Sequence, residues 1–286
     1  MAPTDAAIIT QCPQADIVLC PLAYIRASLP LRKEVQYGLG DRHLNPRTQQ
    51  LPRPPVNRLL AALPKAVYKR MLPQMERVLL ENKQLAYDVD KPIKFVYFPL
   101  TGVFSLVTFM EDGDGVEVAT IGNEGMIGLP VFLGVDRTSG KAFTQVPGDS
   151  LRMTTAAFKE QVRRQKRLTQ TIQLYTQALM VQISQGMACN GKHSIRQRCA
   201  RWLLMTHDRI GAETFPLSQE FLALMLGVRR GGVNKVATEL KQAGLIQYSR
   251  GVIRILKRKE LEDTSCECYR VIKREFDRLL GSPQQQ

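Results

Sequence analysis

The sequence predicts an α+β chain, with short antiparallel strands first and helices after them. Three observations carry this. Between residues 76 and 153, short β-rich runs recur at close spacing with Gly- and Pro-containing turns between them. Past Thr155 the hydrophobic period becomes helical and stays so. Charge is also unevenly spread over the 286 residues: the formal net charge is +14, and residues 156–286 hold 23 basic against 11 acidic side chains, an excess of 12. Residues 57–155 hold 11 of each sign and are neutral. These shifts mark an irregular extension (1–56), a β-rich domain (57–155), a long helix (156–190) and a basic C-terminal domain (191–286).

Eight of the sixteen prolines fall in the first 55 residues, ending in Leu51-Pro-Arg-Pro-Pro55. Proline fixes φ and pushes the preceding residue into extended geometry, so 1–56 is expected to be irregular. Its longest apolar run, 17–25, is broken by Pro21 and is far shorter than the ~20 residues a membrane span needs. No basic segment followed by an apolar one marks a secretory leader. The six cysteines lack the spacing of a small disulfide scaffold. A cytoplasmic chain with reduced thiols and no membrane partner is expected.

Asn57 is placed to cap a short helix carrying Leu59, Leu60 and Leu63, and residues 65–72 make a further turn or two. Strands are predicted over 76–81, 95–98, 102–110, 116–121, 142–146 and 150–153. Asp112-Gly-Asp-Gly115 is a hairpin turn, since Gly supplies the positive φ that primed turns need. Many short strands joined this way predict a small barrel or roll.

In the long helix Leu168, Ile172, Tyr175 and Leu179 recur at spacings of 4, 3 and 4, and Ile183 and Met187 continue the stripe. A narrow stripe with Gln, Thr and Arg on its flanks predicts a dimer seam. A helix packed on its own domain carries the same pattern. Asn190-Gly191 is expected to end it.

The C-terminal domain is the most informative. Ser218 can cap a helix through Leu226, Gly227 supplies a tight turn, and a second helix runs from about Arg230 to Ala243. Val233, Val236, Ala237 and Leu240 fall at helical spacing to pack on Phe221, Leu222, Met225 and Leu226, which makes a helix-turn-helix. The second helix begins with Arg229, Arg230, Asn234 and Lys235. Arg can fork onto guanine and Asn can pair with adenine, so these four are the candidate base readers. Cations sit badly at the positive end of a helix dipole, and two adjacent arginines there call for an incoming anion or base edge. Two β-rich runs, 245–248 and 252–256, flank Ser249-Arg-Gly251 as a wing with Arg250 at its tip. Ser218, Gln219 and Arg250 are the candidate phosphate contacts.

With these motifs the chain resembles a Crp/Fnr-type transcription regulator over about residues 57–281. Tyr97-Phe-Pro-Leu-Thr-Gly-Val-Phe-Ser-Leu106 matches the family's roll, 217–246 its DNA-binding helices, and Ser265-Cys-Glu-Cys-Tyr269 a signature of one branch. The resemblance implies a cyclic-nucleotide-binding-like β-roll, a long dimerisation helix and a C-terminal winged helix-turn-helix. It also implies a homodimer reading two half-sites of a double-stranded operator, as activator or repressor, with RNA polymerase as a candidate further partner. Gly231 stands where many members have Glu, and Gly232 where Thr or Ser is common, so a different operator is expected.

The roll departs from the family as well. Its phosphate-cassette region reads Gly122-Asn-Glu-Gly-Met-Ile-Gly128-Leu-Pro, with Leu129 where a ribose-binding Glu is expected. Gly140-Lys141 stands near the expected Arg-Ser, and Arg137-Thr138 lies close by. Gly122, Asn123, Glu124, Gly125 and Gly128 are the candidate ligand contacts, and the signal is expected to be something other than cyclic AMP. No cofactor or metal is expected: Cys12 and Cys20 have no third partner nearby, and Cys266-Glu-Cys268 has no neighbouring His. No nucleophile–base pair or carboxylate dyad suggests an enzyme.

Overall fold

A computed structural model describes residues 57–111 and 113–281. The predicted extension 1–56 and Asp112 of the hairpin turn lie outside the described residues.

Asn57 caps α1 (Arg58–Ala61) by accepting from the Leu60 N–H, and its Nδ2 donates to the carbonyls of Pro99 and Gly125. Helix α2 (Lys65–Met71) follows. Seven strands come next: β1 (Glu76–Leu80), β2 (Leu85–Tyr87), β3 (Phe95–Pro99), β4 (Val103–Phe109), β5 (Gly115–Ile121), β6 (Lys141–Val146) and β7 (Gly148–Thr154). They form two antiparallel sheets, ordered β1-β7-β3 and β2-β6-β4-β5. Phe98, Phe104, Ile121, Met126, Ile127 and Leu151 fill the core between them. Strand β2 and the short helix α3 (Leu129–Phe132) were not legible in the sequence, being only three and four residues long.

The predicted long helix is two. Thr154 caps α4 (Thr155–Arg164), Gln165 leaves helical geometry at ψ 91°, and α5 (Lys166–Lys192) begins there. Asn190-Gly191 does not end α5. The helix runs on through Lys192 and is closed by His193, whose N–H bonds to the Cys189 carbonyl.

The predicted dimer seam is corrected by burial. Leu168, Ile172, Tyr175 and Leu179 are buried inside the protomer, packed among the roll and the last helix, and Ile183 is half-buried. Tyr175 donates to the Met126 carbonyl at 3.1 Å and lies against the Phe276 ring. An apolar helical stripe needs cover, and here the roll and the C-terminus supply it. The large apolar side chains that α5 exposes are Leu174, Met180 and Met187.

Ser194 opens α6 (Ile195–Ile210) with a reciprocal cap, its side chain meeting the Gln197 N–H while Gln197 reaches back to Ser194 N. After β8 (Thr214–Pro216) come α7 (Gln219–Leu226), α8 (Arg230–Gln242), β9 (Ile246–Ser249), β10 (Val252–Ile255), α9 (Arg258–Thr264) and α10 (Cys268–Leu280). The third sheet, β8-β10-β9, is antiparallel. Helix α10 lays Tyr269, Ile272, Phe276 and Leu280 into the core. No described helix is long and apolar enough to cross a membrane.

Candidate nucleic-acid interface

Local chemistry builds the C-terminal reading unit. The Ser218 Oγ accepts from the Phe221 N–H at 3.1 Å and starts α7. Gly227 ends it with φ at 57°, a left-handed conformation that costs Gly nothing. The buried Arg198 of α6 donates to the Leu226 carbonyl, so the last turn of α7 is held from below as well. Helix α8 then packs Val233, Val236, Ala237 and Leu240 inward with Leu222, Met225 and Leu226. Phe221, expected in that contact, is half-buried and meets Phe143 of the roll edge-on at 6.0 Å.

Arg229, Arg230, Asn234 and Lys235 are all exposed at the N-terminal end of α8. Arg229 is the N-cap and makes no side-chain cap bond, which leaves its guanidinium to solvent or a partner. The wing turn places Arg250 at φ 49° and Gly251 at φ 76°, the two positive values of a primed turn, with Arg250 exposed. Ser218 is exposed and Gln219 half-buried at the start of α7. The base and phosphate candidates therefore sit at the ends of α7, α8 and the wing.

Most of the predicted ligand loop is occupied by the protein itself. Glu124 is buried and pairs with Arg209 of α6 at 2.8 Å, and it also accepts from the Gly122 N–H. The Asn123 carbonyl accepts from Arg58 N. A Cβ at Gly122 would collide with Arg209, and one at Gly125 with Tyr175. Gly128 lines a cavity. That cavity, about 240 Å³, lies between the roll and α5 and is lined by Tyr87, Leu106, Gly128, Leu129, Lys141 and Ile183, among others. Lys141 is its cation and pairs with Asp88 at 3.2 Å, whereas Arg137 turns away to the Asp90 carbonyl.

The roll and the reading unit touch directly. Glu117 of β5 accepts from Trp202 Nε1 at 2.9 Å and from Ser105 Oγ at 2.7 Å, and desolvation raises its pKa to about 7. Gly227 lies beside Val116.

A second constellation escaped the sequence. Cys189, His193, Cys266 and Cys268 come together with their ligand-type atoms all within 4.8 Å of one another. The expectation that Cys266 and Cys268 have no neighbouring His is thereby corrected. The signal that could have found it is Cys189-x-x-x-His193, one helical turn apart, but Asn190-Gly191 read as a helix stop hid it. Hydrogen bonding from Cys266 and the charge of Arg201 hold the Cys189 thiol well below its usual range, while burial pushes Cys268 up.

Comparison with known proteins agrees with this architecture. The model of the Crp-like helix-turn-helix domain family matches residues 197–264. A sequence comparison with curated proteins finds no match. Among solved structures the chain is similar to FixK2 from Bradyrhizobium japonicum, with 16% identity, a TM-score of 0.58, and 67% of this chain and 98% of that one covered. It is similar to the c-di-GMP-responsive global regulator CLP of Xanthomonas campestris, with 14% identity, a TM-score of 0.56, and 67% and 99% covered. A transcriptional regulator of the CRP family from Thermus thermophilus gives 18% identity, a TM-score of 0.52, and 66% and 96% covered. What the chain shares with these structures is the fold: a β-roll, a long helix and a helix-turn-helix. The chain thus has a Crp/Fnr-type fold, and residues 197–264 match the Crp-like helix-turn-helix domain family.

Proposed function

We propose that the chain is a homodimeric regulator that reads a specific double-stranded DNA sequence with the N-terminal end of α8. The observation that carries this is the exposed quartet Arg229, Arg230, Asn234 and Lys235 at the start of α8, together with an exposed Arg250 at the wing tip. Forked and bidentate donors at a helix start suit base edges in the major groove, and the wing suits the flanking phosphates. The excess of 12 positive charges over residues 156–286 supplies affinity for the backbone.

The pairing surface follows from what α5 exposes. Met180 and Met187 are 58% and 73% exposed and, seven residues apart, fall on one face of α5, whereas Leu174, 44% exposed, lies about a third of a turn away. A second copy of α5 would cover the face of Met180 and Met187. The roll cavity would hold the signal. With Leu129 rather than a carboxylate, and Lys141 as its cation, it suits a largely apolar molecule with one anionic group rather than cyclic AMP. As an activator the dimer would also meet RNA polymerase.

Selection from a random double-stranded DNA pool tests the reading. Enrichment of one inverted repeat is expected, with half-sites about one helical turn apart. Binding without enrichment would make the chain a sequence-independent nucleic-acid binder instead.

A further inference from the structure

We propose that Cys189, His193, Cys266 and Cys268 bind one Zn²⁺ ion in tetrahedral coordination and so fasten α10 to the junction between α5 and α6. The residues converge from three places. Cys189 lies in the last turn of α5, His193 is the residue that closes it, and Cys266 and Cys268 precede and begin α10. The Cys189 and Cys266 sulfurs are 3.4 Å apart, and Cys268 Sγ lies 3.5 Å from His193 Nδ1. A tetrahedral ion with bonds of about 2.3 Å to sulfur and about 2.0 Å to nitrogen holds its ligands roughly 3.5–3.8 Å apart. The observed spacing therefore fits one ion at the centre and is too tight to enclose an iron–sulfur cluster. Three thiols and an imidazole are a soft donor set, suited to Zn²⁺ over Mg²⁺ or Ca²⁺.

The surroundings are those of a metal site rather than of a packed core. The three cysteines are 0–3% exposed and form a small cluster of their own, apart from the main hydrophobic core. His193 Nε2 lies 3.2 Å from a Glu267 carboxylate oxygen, which leaves Nδ1 turned to the sulfurs. A carboxylate on the far ring nitrogen is the partner that orients a ligating histidine. Gln185 Nε2 lies 3.2 Å from Cys268 Sγ and donates to it, as it would to a bound thiolate. Arg198 and Arg201 of α6 lie near enough to feel the charge at Cys189, and they would offset the net negative charge of three thiolates around a dication.

Such an ion would serve structure, since all four positions are taken by protein and none is left for water. It would lock the two-residue joint of His193 and Ser194 to the helix that covers α5. Binding displaces the three thiol protons into solvent and involves no redox step.

The full-length chain, purified without a chelating column, should carry about one zinc per chain by elemental mass spectrometry. The double variant Cys266→Ser with Cys268→Ser should carry less than a tenth of that. Replacing zinc by Co²⁺ should give the visible and thiolate charge-transfer bands of a tetrahedral site, saturating at one equivalent. Zinc content unchanged by the double variant would overturn the proposal, as would a metal-free wild type holding a Cys189–Cys266 disulfide. Should the variant fail to fold by circular dichroism, the cobalt titration of the wild type decides: bands at one equivalent uphold the site and their absence rejects it. None of these readouts depends on whether the chain reads DNA.

Discussion

Arg209 Nε donates to Glu124 Oε1 across 2.8 Å, with both side chains at most 7% exposed. The same guanidinium donates to Thr120 Oγ1 of β5 and to Gln182 Oε1 of α5. One buried cation thus joins the roll, the long helix and the first helix of the reading unit. Removing one member of a buried pair leaves the other charge uncompensated, at a cost of about 3–5 kcal/mol. Arg209→Ala should lower unfolding stability by that amount in urea titrations, with Arg209→Met and Glu124→Leu together recovering part of it. A loss below about 1 kcal/mol for Arg209→Ala would show that the pair does not hold the units together.

Glu117 should make the contact between roll and reading unit pH-dependent. Its folded pKa is raised to about 7 from an ordinary 4.5, first by desolvation. Between those values the native state keeps a proton that the unfolded chain has lost. Stability from this group is therefore complete below pH 4.5, falls as pH rises, and levels off above 7. The full decline is at most about 3 kcal/mol, and less because the side chain keeps some solvent access. Denaturation at about pH 5 and pH 8 should show the fall in the wild type and a flatter profile in Glu117→Gln; equal slopes would count against it.

On DNA the two kinds of contact should separate. Arg230→Ala should weaken binding to the selected sequence by roughly 1–3 kcal/mol and relax the preference at one base pair. Arg250→Ala should weaken binding to all sequences alike and lower the salt slope by about one. Fluorescence anisotropy at several salt concentrations distinguishes them. An equal loss on random DNA for Arg230→Ala would reassign it to phosphate.

For the dimer, Met180→Glu combined with Met187→Glu should give a folded monomer by analytical ultracentrifugation. Ile172→Glu should instead unfold the protomer, because its side chain is fully buried. A dimer that survives the double change would place the pairing surface elsewhere.

The reading unit was legible because its signals are local. Ser218, Gly227 and the spacing of Val233, Val236 and Leu240 each report on the few residues around them, and the helices fall where that chemistry puts them. The face of α5 was legible as apolar but not as inward. Periodicity tells which side of a helix needs cover, and a roll satisfies that need as well as a second helix does. Glycines 122 and 125 carried the opposite error. In a sequence they suggest a loop open to an anion, whereas Arg209 and Tyr175 approach there because no Cβ stands in the way. The cysteine–histidine cluster depends on α10 folding back over α5 from more than seventy residues away, and spacing along the chain holds no trace of that.

His193 and Ser194 are all that separate α5 from α6. A tether that short stores no slack, and Arg209 at the far end of α6 is bonded back to Gln182 of α5, so the two helices are fastened at both ends of α6. Any signal that shifts α5 beside the roll cavity would then carry α6 with it as one piece, and α8, packed on α6, would follow, enough to bring a half-site into or out of register.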